Sequence, residues 1–118
     1  KTELGRADFE VIAIEPDDSD VLSGGEPGSH DIPGIGAGFV PSILDLDLID
    51  EVETTSGEAA RETTRELARN AGLLMGISAG AAVNVATRVA NRPGYGSKTV
   101  VTILPDTGER YLQSGLFG

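Results

Sequence analysis

The sequence has no cysteine and no tryptophan, and its hydrophobic runs are short. Without cysteine these 118 residues cannot form a disulfide bond, which is compatible with a cytoplasmic location. The longest mostly apolar run, residues 73–83, includes glycine and serine and is far shorter than the ~20 residues that span a membrane. The first residues also lack the pattern of a signal peptide. We therefore predict no membrane segment and a cytoplasmic protein.

Positive charge is also scarce. Nine Lys and Arg residues against 19 Asp and Glu residues give a net charge of −10, which opposes binding to nucleic acid or to an anionic membrane. With one histidine and no cysteine, the chain does not offer the usual ligands of a transition-metal site. We predict neither a metal site nor a nucleic-acid partner.

Three segments of the sequence predict strands. Residues 9–15 are almost continuously apolar before Pro16, which is typical of a strand buried on both faces in a parallel sheet. Residues 49–54 predict a second, short strand, and residues 99–104 predict the clearest one.

A long loop follows the first strand. Residues 17–41 are rich in Gly, Pro, Asp and Ser, and loops of this length in compact domains tend to be functional. Residues 44–48 then alternate leucine with aspartate, which predicts a half-exposed extended segment. Its aspartates are interpreted as a solvated face, with metal binding as the alternative.

Two helices are predicted between the second and third strands. Residues 55–58 read TSGE, which is the spacing of a capping box, and the helix after it is expected to run to Ala71 before Gly72 stops it. The second helix is expected from Ser78, as its N-cap, to about Asn91, and to be buried on more than one side.

The order of elements predicts an α/β fold, part of a doubly wound, mostly parallel sheet with flanking helices. We interpret residues 1–118 as a single α/β segment of a larger protein, because Leu4 and Gly5 resemble the end of an element. Parallel strands joined by helices bind ligands beyond their carboxyl ends. Three segments should converge there: the loop after Glu15, the helix start at Ser78, and residues 105–108.

Residues 72–82, GLLMGISAGAA, place small residues in the first turn of the second helix. Either a ligand rests against this helix end, or the stretch is only a closely packed core helix. Residues 34–39, GIGAGF, form a glycine-rich loop that fits neither the dinucleotide fingerprint nor a Walker motif. A backbone wall beside a flat ligand and a structural turn both remain open for it.

Histidine and lysine are common catalytic residues, but their positions in this sequence do not favour a catalytic role. His30 lies in a Pro/Gly-rich loop, where a surface role is favoured over membership of a catalytic triad. Lys98 precedes the third strand and so should lie at the sheet edge opposite the expected site.

Taken together, these residues resemble the C-terminal part of the O-acetylserine sulfhydrylase (cysteine synthase) family of fold type II pyridoxal-phosphate enzymes. The matching stretches are VIAIEP at 11–16, LSGGEPG at 22–28, GIGAGFVP at 34–41, LIDEV at 48–52, GLLMGISAGAA at 72–82 and ILPDTGERYL at 103–112. They cover nearly the whole chain in family order.

The resemblance implies roles for four residues that bind pyridoxal 5'-phosphate. Ser78 would hydrogen-bond the pyridine nitrogen, and Gly34 would lie beside the ring and the bound amino acid. Pro105 and Asp106 would line the far side of the ring. Ala79 stands where family members usually carry a second serine, which should be a mild departure because the contacting serine is kept.

The resemblance also implies a β-replacement reaction of O-acetylserine with sulfide, in a homodimer. The family's Schiff-base lysine, substrate-carboxylate loop and phosphate loop lie N-terminal to everything in this chain, so the chain alone is expected to be inactive and to contain no catalytic residue. Cystathionine β-synthase is a same-class alternative. A non-catalytic homologue is another, because the family's cleft also receives the C-terminal peptide of serine acetyltransferase.

Overall fold

The computed structural model describes Gly5 and residues 8–117, so the element end expected at Leu4 lies outside the described residues. The strands and helices are β1 (Ile12–Pro16), β2 (Glu51–Thr55), α1 (Gly57–Ala71) and α2 (Ile77–Ala90). Short 3₁₀ helices lie at Asp17–Ser19, Val21–Ser23, Leu46–Leu48 and Gly108–Ser114.

The two strands form a parallel sheet. Ile12 lies beside Glu51 at one end of the ladder, and Pro16 lies beside Thr55 at the other. The predicted α/β architecture with a parallel sheet is therefore confirmed. β1 begins later than predicted and includes Pro16, whose φ of −65° and ψ of 141° are those of an extended residue.

Helix α1 begins one residue later than predicted, since the capping box at residues 55–58 would make Thr55 the N-cap. The N-cap is Ser56, not Thr55, because the Ser56 hydroxyl accepts a hydrogen bond from the Ala59 amide at 3.0 Å. The predicted stop at Gly72 is confirmed: Gly72 has a φ of 67°, a left-handed conformation that favours glycine.

Helix α2 begins earlier than predicted, and Ser78 is not its N-cap. Gly76 occupies the cap position with extended dihedrals and without a side-chain hydrogen bond, so Ser78 lies inside the first turn. The helix ends at Ala90, one residue before the predicted end. Its buried residues are Ile77, Ala79, Gly80, Ala81, Val85 and Val89, as expected of a helix covered on more than one side.

The two helices approach each other closely at Gly80. A Cβ atom added there would lie 2.0 Å from Thr64 Oγ1 and 2.2 Å from the Ala60 carbonyl oxygen. Thr64 is fully buried, and its hydroxyl donates to the Ala60 carbonyl at 2.8 Å within α1. The missing side chain of Gly80 thus allows the backbone of α2 to contact α1 directly.

Polar contacts fix the C-terminal half of α2, and the residues just after it, to the sheet. Arg92 donates two hydrogen bonds to Glu51, at 2.8 and 2.5 Å, and also pairs with Glu53. The hydrogen bonds and positive charge of Arg92 lower the pKa of Glu51 below its ordinary value. Nearer the middle of α2, Asn84 accepts a hydrogen bond from the Thr55 hydroxyl at 2.9 Å. These contacts set the direction of the helix relative to β2.

Two predicted extended segments are wrong. Residues 46–48 form a 3₁₀ turn because the Asp45 carboxylate accepts a hydrogen bond from the Asp47 amide at 3.0 Å, which favours a turn over an extended chain. Residues 99–104 are not assigned as a strand, and within the described residues no strand lies beside them to form a ladder. Val101 and Ile103 are accordingly 84% and 77% exposed.

The absence of that pairing also explains why β1 is less buried than predicted. A groove of about 370 Å³ opens along Ile12, Ile14 and Val85 on one side and residues 98–102 on the other. Ile12 and Ile14 are therefore half-buried, whereas the strand was expected to be covered on both faces.

Among the described residues, no helix has the length and apolar character needed to cross a membrane.

The helix contact at Gly80 leads to a stability prediction. We expect Gly80→Ala to lower the free energy of unfolding by about 1–3 kcal/mol, because overpacking at α1 outweighs the gain of up to ~1 kcal/mol in helix propensity. The melting temperature of the protein that contains this chain measures the effect. Gly96→Ala is the matched control, since no atom lies within 4 Å of a Cβ added there. Equal melting temperatures for the two variants would contradict the close contact.

Candidate functional site

The start of α2 is tied to residues 105–108. Met75 and Thr107 form an isolated antiparallel bridge. On either side of it, the Gly108 amide donates to the Leu74 carbonyl at 2.8 Å and the Gly76 amide donates to the Asp106 carbonyl at 3.1 Å. Two of the three segments predicted to converge are therefore held together by backbone hydrogen bonds.

The side chain of Asp106 lies against the helix start. A Cβ atom added to Gly76 would lie 1.9 Å from Asp106 Oδ1, so only glycine leaves room for this carboxylate. Asp106 Oδ2 accepts a hydrogen bond from the Tyr111 hydroxyl at 3.1 Å. Asp106 Oδ1 is buried without a hydrogen-bond partner among the described residues. An unpaired buried carboxylate oxygen at the start of a helix is a polar feature that the packing of the described residues leaves unsatisfied.

Ser78 lies in the first turn of α2 and is half-buried. Gly76, and not Ser78, caps the helix, so the Ser78 hydroxyl is not used to satisfy the first backbone amides. No residue in the described part of the chain hydrogen-bonds this hydroxyl. It is therefore free to donate to a ligand at the positive end of the helix dipole.

The glycine-rich loop is connected to the same helix turn through the hydrophobic core. Gly34, Gly36 and Gly38 all have positive φ values, of 91°, 66° and 82°. Beside them, Ile32 belongs to a buried cluster that includes Ile77. Its other buried members are Ala60, Ala81 and Leu116, and Ile35, Tyr111 and Phe117 pack against it. Gly34 itself is exposed. The loop thus exposes backbone at Gly34, while Ile32 and Ile35 pack in the cluster that contains Ile77, the neighbour of Ser78.

A cavity of about 510 Å³ lies between this loop and the carboxyl end of β1. Its lining includes Glu15 and Ser19, together with residues 34–39. Ser78, Pro105 and Asp106 do not line it. The structure therefore places Gly34 in the lining of the cavity and Asp106 at the start of α2. Pro105, next to Asp106 in the chain, is exposed.

Glu15 is a buried residue of this region that the sequence patterns did not single out. Its carboxylate accepts hydrogen bonds from the Leu22 and Ser23 amides at 2.8 Å each, and from the Ser23 hydroxyl at 2.7 Å. These bonds fix the first part of the long loop to the end of β1. A glutamate at the end of a hydrophobic strand, just before a glycine-rich loop, was the available sequence signal.

Lys98 lines a different cavity from the glycine-rich loop. Lys98 packs over the Tyr95 ring, with its Nζ atom 5.1 Å from the centroid, and lines the groove beside the amino end of β1. Within the described residues, no group of three or more His, Asp and Glu side chains is arranged to hold a metal ion.

Comparison with known proteins gives a family match over most of the chain. A family model described as "Pyridoxal-phosphate dependent enzyme" matches residues 2–106. Cysteine synthase of Staphylococcus aureus strain N315 is 47% identical over 109 residues, which is 92% of this chain and 35% of that protein. The chain thus spans about a third of the length of the curated relatives it matches.

Solved structures agree with this match. A cysteine synthase from Entamoeba histolytica superposes with a TM-score of 0.93 at 36% identity, covering 98% of this chain and 34% of that one. An O-acetylserine-dependent cystathionine β-synthase from Helicobacter pylori has a TM-score of 0.81 at 46% identity, covering 92% of this chain and 35% of that one.

The Tyr111–Asp106 pair leads to a pH prediction. Burial, and then the hydrogen bond to Asp106 and its charge, raise the pKa of Tyr111 above its ordinary value. The pair therefore stabilises the fold fully below the unfolded tyrosine pKa of ~10, and this contribution is lost as the pH rises through the raised value.

We expect Asp106→Asn to lower the pKa of Tyr111 while leaving the part of the shift that burial causes. Ultraviolet titration of tyrosinate measures the change, and Tyr111→Phe assigns the signal. An unchanged titration in Asp106→Asn would mean that the carboxylate does not act on this hydroxyl.

Proposed function

The chain belongs to the family of pyridoxal-phosphate-dependent enzymes, and from this premise we propose that it is the C-terminal segment of a cysteine synthase. The complete enzyme would replace the acetate of O-acetylserine with sulfide to give cysteine. The similarity to the Staphylococcus aureus cysteine synthase supports this choice. The structural observation that carries it is the unpaired hydroxyl of Ser78 at the start of a buried helix.

The described residues fit one face of pyridoxal phosphate. The Ser78 hydroxyl can donate a hydrogen bond to an unprotonated pyridine nitrogen, whereas a carboxylate at this position would hold a proton there. The partial positive charge at the start of α2 disfavours a protonated ring nitrogen as well. When bound, the cofactor supplies an electron sink for the substrate's α-carbon, which allows a β-substituent to leave.

The other three predicted residues would hold the ring and the amino acid from either side. Gly34, Gly36 and Gly38 expose backbone without side chains at the cavity beside β1. Asp106 and Pro105 would border the opposite side, and the bridge between Met75 and Thr107 keeps them in place. In this proposal Asp106 Oδ1, which has no partner in the described part of the chain, accepts a hydrogen bond within the assembled pocket.

Residues 1–118 would form one α/β segment and contribute only part of this pocket. Lys98 lies beside Tyr95 and lines a different cavity from the glycine loop. We therefore propose that the lysine that binds the cofactor, the phosphate loop and the substrate-carboxylate loop belong to other parts of the full-length protein. The chain alone would then be inactive and would contribute no catalytic residue.

A cystathionine β-synthase activity is the second candidate. The O-acetylserine-dependent enzyme from Helicobacter pylori shares 46% identity with this chain and the same fold. Homocysteine would then replace sulfide as the nucleophile. Assay of the full-length protein with O-acetylserine and each nucleophile in turn distinguishes the two activities.

We further propose a homodimer in the cytoplasm, with a cleft that can receive the C-terminal peptide of serine acetyltransferase. Exposed apolar side chains next to the glycine loop, Phe39 at 63% and Ile43 at 95%, support the idea that this region is covered in an assembly. A homologue that served only as such a binding partner would bind the peptide without turning over O-acetylserine.

The proposed contact of Ser78 predicts graded effects on activity. We expect Ser78→Ala to retain the cofactor but to lower kcat about three- to tenfold, the size expected for one lost hydrogen bond of ~1 kcal/mol. Ser78→Asp should lower kcat further and change the absorbance of the bound cofactor, because it favours a protonated ring. Ser97→Ala, at an exposed serine, is the control. Identical kinetics in Ser78→Ala and Ser97→Ala would exclude the contact.

The position of the cofactor lysine is a separate prediction. Borohydride reduction of the full-length holoenzyme should attach the cofactor permanently to its lysine, and peptide mapping should locate the label outside residues 1–118. Neither Lys1 nor Lys98 should be modified above the level found in enzyme reduced without cofactor. A label on Lys98 would refute the division of the pocket proposed above.

A further inference from the structure

The side chain of His30 is fixed by hydrogen bonds, although the sequence predicted a surface role for it. It is half-buried, and both of its ring nitrogens are engaged. The Ile32 amide donates to Nδ1 at 3.1 Å, and Nε2 lies 2.9 Å from the carbonyl oxygen of Gly36. Because Nδ1 accepts a hydrogen bond, a neutral ring must carry its proton on Nε2, which then donates to Gly36. The two contacts together assign one tautomer.

These two bonds bracket Gly34. Ile32 lies two positions before Gly34 and Gly36 lies two positions after it, so the imidazole links the two sides of the glycine turn. We call this pair of hydrogen bonds the brace. A Cβ atom added to Gly36 would lie 2.6 Å from His30 Nε2 and 2.5 Å from Pro16 Cγ. The ring, the turn and the end of β1 are thus in direct contact, and no larger residue than glycine fits at position 36.

The start of the braced segment is anchored to the rest of the fold. Asp31 forms an ion pair with Arg61 of α1. Ile32 is only 1% exposed and packs in the cluster that contains Ile77, the neighbour of Ser78. With the first part of the turn fixed in this way, the hydrogen bond from His30 to Gly36 determines where its second part lies. Gly34, between them, is exposed and borders the cavity beside β1.

We propose that His30 is a positioning residue, which sets the backbone of the Gly34 turn for contact with the bound amino acid. It would touch neither substrate nor cofactor. This inference rests on the proposed function, which places the substrate beside Gly34. It predicts that loss of the brace weakens substrate binding more than it slows the chemical step, because a loosened turn must be ordered again when substrate binds.

Two substitutions separate the bonds of the brace. His30→Ala removes both, whereas the side-chain oxygen of His30→Asn can still accept from the Ile32 amide, as in an Asx turn, but is too short to reach Gly36. In the full-length holoenzyme we expect His30→Ala to speed hydrogen exchange at the Ile32 amide about fivefold to tenfold, as one lost hydrogen bond allows. His30→Asn should restore most of this protection.

Kinetics then test the positioning role. Both variants should raise the KM for O-acetylserine at least threefold with a smaller change in kcat, because both lack the bond to Gly36. Ser29→Ala is the control in the same loop, since Ser29 is exposed and makes no described hydrogen bond. It should match the wild type in exchange, KM and kcat.

Three results would overturn the proposal. One is unchanged exchange at Ile32 in His30→Ala, and another is faster exchange with an unchanged KM. The third comes from ¹⁵N NMR of the wild-type protein, which needs no variant to fold: a proton on Nδ1 of His30 would contradict the brace. If the wild type itself does not turn over O-acetylserine, the proposed function fails and the positioning role fails with it, whereas the exchange and tautomer results still report on the brace itself.

Discussion

The structure depends on a glycine at the start of α2. Gly76 has no side chain, so the Asp106 carboxylate can lie directly against the helix end, and the backbone of residues 74–76 can pair with that of residues 106–108. Any larger residue at this point would separate the two segments. Gly80, one turn later, likewise has no side chain and allows α2 to contact the α1 backbone. The position of Ser78 follows from these two close approaches, since it lies between them.

Local signals in the sequence predicted those features that local chemistry decides. Gly72 stops α1 because a left-handed residue is needed there, and the two segments with β-branched residues, β1 and β2, form parallel strands. The family resemblance found in the short motifs is confirmed by the match to the pyridoxal-phosphate-dependent family. The predicted cofactor class follows from the same match.

The turn at residues 46–48 and the cap of α1 were missed although local hydrogen bonds set them. The other errors arose where distant residues decide the local structure. Ser78 was expected to cap α2, but the contact between Gly76 and Asp106 makes the helix begin earlier. Residues 99–104 have the composition of a strand, yet a strand needs a neighbour, and the described residues provide none. The brace made by His30 was equally invisible, because a hydrogen bond to the Gly36 carbonyl depends on the path of the loop. Site predictions for Ser78, Gly34, Pro105 and Asp106 stay predictions.

The uncovered segment at residues 99–104 has a consequence for handling this polypeptide. Val101 and Ile103 are largely exposed, in a segment of strand-like composition that no strand of the described residues covers. Such an exposed apolar, β-branched segment can pair between separate molecules and seed cross-β aggregates. The strong negative charge of the chain opposes this association in dilute buffer, and salt weakens that repulsion. Raising the ionic strength should therefore promote aggregation through this segment unless another strand covers it.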